Sequence, residues 1–258
     1  IDALERIFDA YPGKIACVIL EAATTADPPS GYLGRVRELC TRNGTVLVID
    51  EMITGFRWHK QGAQALYGIE ADLATFGKGI ANGFSFAALV GRRDIMELGG
   101  IKSARPRVFL LSGTHSAENH AIAAARATLD IFKREPVCET MWAIGGALVD
   151  GLNAAARDAG IPESRFKAGG VVCSPWYAFY EPDGTPSMPL RTLFLQEMIK
   201  GGVIFNYIAP SWSHKPEHVE RTIAAARSSL KTVAQALERG VGGLLESPAV
   251  KPVFRKFN

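Results

Sequence analysis

Residues 46–57 read VLVIDEMITGFR, four apolar side chains running straight into two carboxylates. A strand buried on both faces is apolar at every position rather than at every second one, as in parallel sheets covered by helices. An ionised group at the end of such a strand is costly to bury without a partner, so Asp50 and Glu51 require something cationic or hydrogen-bonding nearby. Upstream, residues 15–20 (IACVIL) form a second strand-like run that ends at Glu21. Residues 34–42 (GRVRELCTR) have helical spacing, and Asn43-Gly44 is a stop signal. Downstream, residues 72–76 (DLATF) lead into Gly77-Lys78-Gly79, residues 87–90 (AALV) and 108–111 (VFLL) are further apolar pieces, and residues 117–132 form an Ala-rich helix. This alternation predicts an α/β fold built on a mostly parallel sheet covered by helices.

The chain changes character after Glu135-Pro136. A long helical pattern over residues 137–159 is followed by strand-like pieces at 170–173 and 201–206 (GGVIFN), with helices expected over 190–200 and from about 215 to 238. Two domains are therefore expected. Residues 1–135 would be the C-terminal portion of a larger α/β domain, and residues 136–258 an interdomain helix with a smaller C-terminal α+β domain. The sequence opens on Ile1 in the middle of the strand–helix alternation, which predicts a missing N-terminal portion.

Composition narrows the function classes. Apolar residues make up 47% of the 258, charged residues 21%, and the net charge is only +3, an ordinary globular balance. The sequence holds no basic run interleaved with aromatics, so no nucleic-acid partner is expected. It holds no apolar run of membrane-spanning length either, so no membrane partner is expected. Four cysteines (Cys17, Cys40, Cys138, Cys173) lie far apart without a CxxC pair and are expected to be buried thiols of a reducing, cytoplasmic compartment.

Ligands of open parallel sheets gather at the carboxyl ends of strands, and three such ends here carry Glu21, Asp50-Glu51 and Lys78. Glycines on both sides leave Lys78 little steric cover, which suits an amine that attacks a carbonyl; a merely solvated lysine is the plain alternative. Asp50 admits three readings. It could be a Mg²⁺-binding Walker B acid, a carboxylate that keeps a pyridinium nitrogen protonated, or a helix cap or ion-pair partner. The first lacks a GxxxxGK[ST] loop, because Gly79 follows Lys78. His115, Glu118 and His120 lack the i, i+4 spacing of a metal-binding helix, so capping and packing are expected instead. Ser112-Gly113-Thr114, just ahead of the Ala-rich helix, could offer an anion site or a plain N-cap. Arg57, His59 and Arg191 are candidates for contact with a substrate carboxylate, or equally surface residues.

Taken in order, these motifs resemble the class III pyridoxal-phosphate-dependent aminotransferases, and most of all the glutamate-1-semialdehyde aminomutase group. The similarity runs from about Gly31 to the C-terminus and is densest over residues 46–96, with Asp-Glu, Thr-Gly-Phe-Arg, Gly-Ala-Gln, Asp-Leu and Gly-Lys in sequence. Residues 190–206 and 251–258 fit the same group. The resemblance implies fold type I, a pyridoxal 5'-phosphate cofactor with pyridoxamine phosphate as the intermediate carrier, and a small amino or keto substrate. It implies that Lys78 forms the Schiff base and then carries a proton, that Asp50 pairs with the pyridinium nitrogen, and that Met52 lies against the ring. Thr114 would reach the cofactor phosphate of a neighbouring subunit, which implies a homodimer with shared active sites. The family's N-terminal Ser-Gly-Thr phosphate cup and its ring-stacking aromatic residue are absent here, so an inactive or non-catalytic relative is the alternative. EAATTADPP (residues 21–29) also departs from the family's more usual Glu-Pro.

Overall fold

The computed structural model describes all residues except 101, 107–112, 116–117 and 252–258. The apolar piece at 108–111 therefore lies outside the described residues. The chain divides into two compact units, Ile1–Cys138 and Glu139–Asn258.

The first unit runs α1 (Asp2–Ala10), β1 (Cys17–Leu20), α2 (Tyr32–Arg42), β2 (Val46–Asp50), α3 (Ala63–Leu66), β3 (Leu73–Phe76), β4 (Ala88–Gly91), α4 (Arg93–Met96) and α5 (Asn119–Arg134). The described strands form one sheet in the order β1-β2-β3-β4. β1, β2 and β3 are parallel and β4 returns antiparallel, so the expectation of a mostly parallel sheet holds. β2 is flanked on both sides, and Leu47, Val48 and Ile49 are all buried, which is why its sequence runs apolar without alternation. Among the described residues β1 pairs on one side only, and Cys17 is exposed rather than buried, whereas Cys40, Cys138 and Cys173 are buried. None of the four is in a disulfide.

The path from α2 into β2 follows local chemistry. α2 buries Leu33, Val36, Leu39 and Cys40 along one face, the three-and-four spacing of a helix packed on a sheet. It stops where expected. The Asn43 N–H and side-chain amide both donate to the Leu39 carbonyl (3.2 and 2.8 Å), and Gly44 takes φ +62°.

Beyond that turn, one carboxylate ties four elements together. Asp72, just before β3, accepts from the Leu47 N–H of β2 at 2.7 Å, from Arg37 of α2 at 2.8 Å and from Arg92 after β4 at 2.9 Å. Burial alone would push the Asp72 carboxyl up. The hydrogen bonds from Leu47, Arg37 and Arg92 outweigh that and hold it below the ordinary carboxylate value.

The second unit holds most of α6 (Val137–Asp158), then β5 (Phe166–Gly169), β6 (Trp176–Phe179), α7 (Met188–Lys200) and α8 (Pro216–Arg239). β5 and β6 pair antiparallel. Phe166, Phe179, Phe194, Tyr177 and Phe205 form a buried aromatic cluster with neighbouring ring centroids 4.8–6.4 Å apart, a spacing that favours offset and edge-to-face contact. Two strand expectations fail here. Residues 170–173 form a turn, in which Ser174 N–H donates to the Val171 carbonyl at 2.8 Å. Residues 201–206 have no partner strand among the described residues, and side chains satisfy the backbone instead: the Tyr177 hydroxyl donates to Phe205 O and Arg191 to Asn206 O, both at 2.6 Å. Burial pushes the Tyr177 phenol up to about 12 against the opposing pull of Arg191. Arg191 is thus engaged structurally, its guanidinium 4.8 Å from the Tyr177 ring centroid.

The Asp72 hub yields a pH signature. A carboxyl held low in the folded state adds stability above the ordinary carboxylate range, and that stability is lost as pH falls through the depressed value. Near neutral pH, Asp72→Asn should cost about 2–3 kcal/mol in urea unfolding. The difference from the wild type should shrink steadily below about pH 4; a constant difference across that window would remove Asp72 from the role.

Candidate active site

Because β1, β2 and β3 are parallel neighbours, their carboxyl ends line one edge of the sheet and present Glu21, Asp50 and Lys78 in that order. The ladder sets Asp50 opposite Thr75, and Lys78 lies three residues beyond that pairing. Asp50 is half-buried. Its Oδ1 accepts from the Met52 N–H at 2.9 Å and from the Thr75 hydroxyl at 3.1 Å.

Lys78 opens a single turn of 3-10 helix, Lys78–Ile80, in the left-handed region at φ +46°. A non-glycine residue there costs energy that the surroundings must offset, and such residues concentrate at functional sites. The turn is closed by the Ile80 N–H donating to the Gly77 carbonyl at 3.1 Å. Gly77 lies directly under a neighbouring side chain: a β-carbon on it would overlap the Met52 thioether and lie 2.7 Å from its sulfur, so the thioether would have to swing aside. The Met52 side chain therefore crosses over the backbone immediately before Lys78. Asp50, Met52 and Lys78 thus come together at one edge, and Lys78 is exposed there.

Glu51 points the other way. It is fully buried, and its carboxylate accepts from the Thr54 hydroxyl and from the backbone N–H groups of Ala63 (2.9 Å) and Gln64 (3.0 Å). The partner that sequence reasoning required for this acid is thus the start of α3 and the loop leading to it. Gly62 lies against the carboxylate at φ +90°, and a β-carbon on it would stand 2.7 Å from Glu51 Cδ and closer still to Oε1. Two candidates for carboxylate contact, Arg57 and His59, sit on the loop that Glu51 fastens; His59 Nδ1 accepts from the Gln61 N–H at 3.1 Å.

Thr114 lies in an exposed turn. The helix after it begins only at Asn119 with Glu118 as its N-cap, so Thr114 is not at the helix start, and Ser112 falls outside the described residues. Glu118 stands between His115 Nδ1 and His120 Nε2, at 3.3 Å from each. Among the described residues no group of three or more His, Cys, Asp or Glu is arranged to hold a metal ion, and no helix is long and apolar enough to cross a membrane.

The sequence profile described as aminotransferase class-III matches residues 1–181. The chain belongs to that family. Among curated relatives, the glutamate-1-semialdehyde 2,1-aminomutase of Neisseria meningitidis is 35% identical over 252 residues, covering 91% of this chain and 57% of the relative. That of Clostridium tetani is 33% identical over 246 residues, covering 88% and 56%. The chain thus spans little more than half the length of the curated relatives it matches. Among solved structures, the FumI protein of a Sphingopyxis species, in its PLP internal aldimine form, superposes with a TM-score of 0.82 at 26% identity, over 92% of this chain and 56% of that one. An omega-transaminase from Sphaerobacter thermophilus gives 0.76 at 22% identity, over 91% and 56%, a likeness of fold. The class III member has fold type I, and the Walker B reading of Asp50-Glu51 gives way to this membership.

Sequence reasoning named Asp50, Met52 and Lys78 but missed Thr75 and the Glu51–Gly62 clamp. The available signal for Thr75 was a hydroxyl on the strand that carries the lysine; only the register turns it into a partner of Asp50. Gly62→Ala tests the clamp, since it combines a left-handed β-carbon with overlap on a buried carboxylate. The expected loss is about 2–4 kcal/mol, read as a lower urea midpoint at unchanged slope. Stability within ~0.5 kcal/mol of wild type, the usual range for an uninvolved surface change, would mean that Glu51 does not hold this loop.

Proposed function

We propose that this chain carries the lysine-bearing part of a pyridoxal-phosphate-dependent aminotransferase or aminomutase acting on a small amino or keto compound of the glutamate-1-semialdehyde type. The observation that carries the reading is the meeting of Asp50, Met52 and Lys78 at the carboxyl edge of adjacent parallel strands. The residues present fit the cofactor. Asp50 keeps one oxygen engaged by the protein and has a second for a ring cation, Met52 supplies a polarisable flat contact, and Lys78 is an exposed amine on a short, closed turn. When bound, pyridoxal phosphate supplies an aldehyde that condenses with amines and a protonated ring that draws electrons from the attached carbon.

The protein's own part follows from its side chains. Asp50 holds the proton on the ring nitrogen, because a carboxylate beside that nitrogen favours its charged form. Lys78 Nζ would be the amine that holds the cofactor's aldehyde carbon, and as a free base it would carry the proton at the substrate carbon. Met52, lying against Gly77, would offer the ring an apolar, polarisable contact. Thr114, exposed and away from its helix start, serves the phosphate of a neighbouring subunit in a homodimer with shared sites, within a cytoplasmic enzyme. A non-catalytic relative is the second reading.

Mixing the chain with pyridoxal phosphate should produce an absorbance band near the visible edge, and borohydride should then fix one phosphopyridoxyl group on Lys78, located by peptide mass mapping. Lys78→Ala should abolish both the band and the label at unchanged thermal stability. Equal labelling of Lys78→Ala and wild type would sink the assignment. A wild-type spectrum unchanged by pyridoxal phosphate would favour the non-catalytic reading.

A further inference from the structure

Both hydrogen bonds to Asp50 fall on the same oxygen. Met52 N–H reaches Oδ1 from two residues along the chain, and the Thr75 hydroxyl reaches it from the neighbouring strand. Among the described residues no donor is recorded on Oδ2. The two donors differ in kind. The Met52 bond is a local side-chain-to-backbone turn, which any Asp at a strand end can make and which leaves the carboxylate free to swing about a single contact. The χ2 torsion of aspartate is broad and does not fix the carboxylate plane by itself.

Thr75 supplies the second fixed point. It is the register partner of Asp50, so the two side chains share a face of the sheet as direct cross-strand neighbours. A β-branched residue in a strand has few χ1 choices, so its hydroxyl is aimed before any ligand arrives. The Thr75 backbone is committed as well, because its carbonyl accepts the Glu51 N–H at 2.9 Å. One residue therefore secures the backbone of Glu51 and the side chain of Asp50. Two donors converge on Oδ1, and Oδ2 is the oxygen left to a ligand.

Resting on the cofactor reading above, we propose that Thr75 is a positioning residue: its hydroxyl locks Asp50 so that Oδ2 is the oxygen presented to the protonated ring nitrogen. The hydroxyl does not touch the cofactor; it acts through Asp50. The role is separable from packing, because valine keeps the branched shape and removes only the donor, while serine keeps the donor and removes a methyl group.

The test uses the full chain as wild type, Thr75→Val and Thr75→Ser. Each is titrated with pyridoxal phosphate and with its deaza analogue, in which carbon replaces the ring nitrogen. Thr75→Val should weaken pyridoxal phosphate about 5- to 10-fold, the size of one ordinary hydrogen bond, since the lost bond acts only through Asp50. Binding of the deaza analogue should stay within about twofold of wild type, because that ring offers Asp50 no cation. Thr75→Ser should restore most of the discrimination. In crystals of ligand-free Thr75→Val, Asp50 should have rotated while keeping its bond to the Met52 N–H.

Equal weakening of both ligands by Thr75→Val would assign Thr75 a packing role and overturn the proposal, as would unchanged affinity for both. An Asp50 carboxylate unmoved in the ligand-free variant would overturn it without reference to any cofactor. Failure of the wild type to prefer pyridoxal phosphate over the deaza analogue would instead strike the pairing of Asp50 with the ring nitrogen. The orientation of Asp50 in the variant crystals would then still decide whether Thr75 positions it.

Discussion

The parallel ladder between β2 and β3 is the constraint on which the candidate site depends. A parallel pair has one register, and slipping it by one residue would turn every side chain of β3 to the opposite face. In the observed register Asp50 lies across from Thr75, and the strand ends bring Met52 over Gly77 just ahead of Lys78. The other end of the ladder is pinned by Asp72, whose carboxylate binds the Leu47 backbone and two arginines from elements on either side. Two carboxylates at opposite ends of the same strand pair thus serve different purposes. One is saturated with donors and fixes the register; the other keeps an oxygen for chemistry.

Adjacent acids in the sequence divide the same way. Asp50 and Glu51 follow each other on one strand end and therefore face opposite sides, as the twofold repeat of a strand requires. Asp50 faces the open edge. Glu51 is enclosed by the loop that leads from β2 to α3, and its cost of burial is offset by three hydrogen bonds, one from that loop and two from the start of α3. The question raised by two carboxylates after a buried strand thus has two answers, one per residue. Glu51 is satisfied by neutral protein donors, and only Asp50 is left with an oxygen for a cation.

Much of this was legible in the sequence. The uninterrupted apolar run of residues 46–49 implied a strand covered on both faces, Asn43-Gly44 marked the end of α2, and the ordered motifs from Asp50 to Gly-Lys indicated the family. Helices were readable because capping and periodicity act locally. The two false strands, at 170–173 and 201–206, failed because an apolar run cannot announce whether another strand will lie beside it. In the second case the carbonyls that a ladder would have used are taken by Tyr177 and Arg191. The exposure of Cys17 was hidden for a related reason: whether a strand lies inside a sheet or at its edge is decided by neighbours distant in sequence.

The sequence by itself determined which side chains are chemically able to act: a carboxylate and a glycine-flanked lysine, each at the end of an apolar run. The tertiary structure decided which of them meet and how they are held. Register chose Thr75 as the partner of Asp50, packing laid the Met52 side chain against Gly77, and the fold of the 52–62 loop turned Glu51 into an internal fastening. These outcomes depend on distances between residues far apart in the chain. Such distances are set by pairing and packing together, and no local preference encodes them.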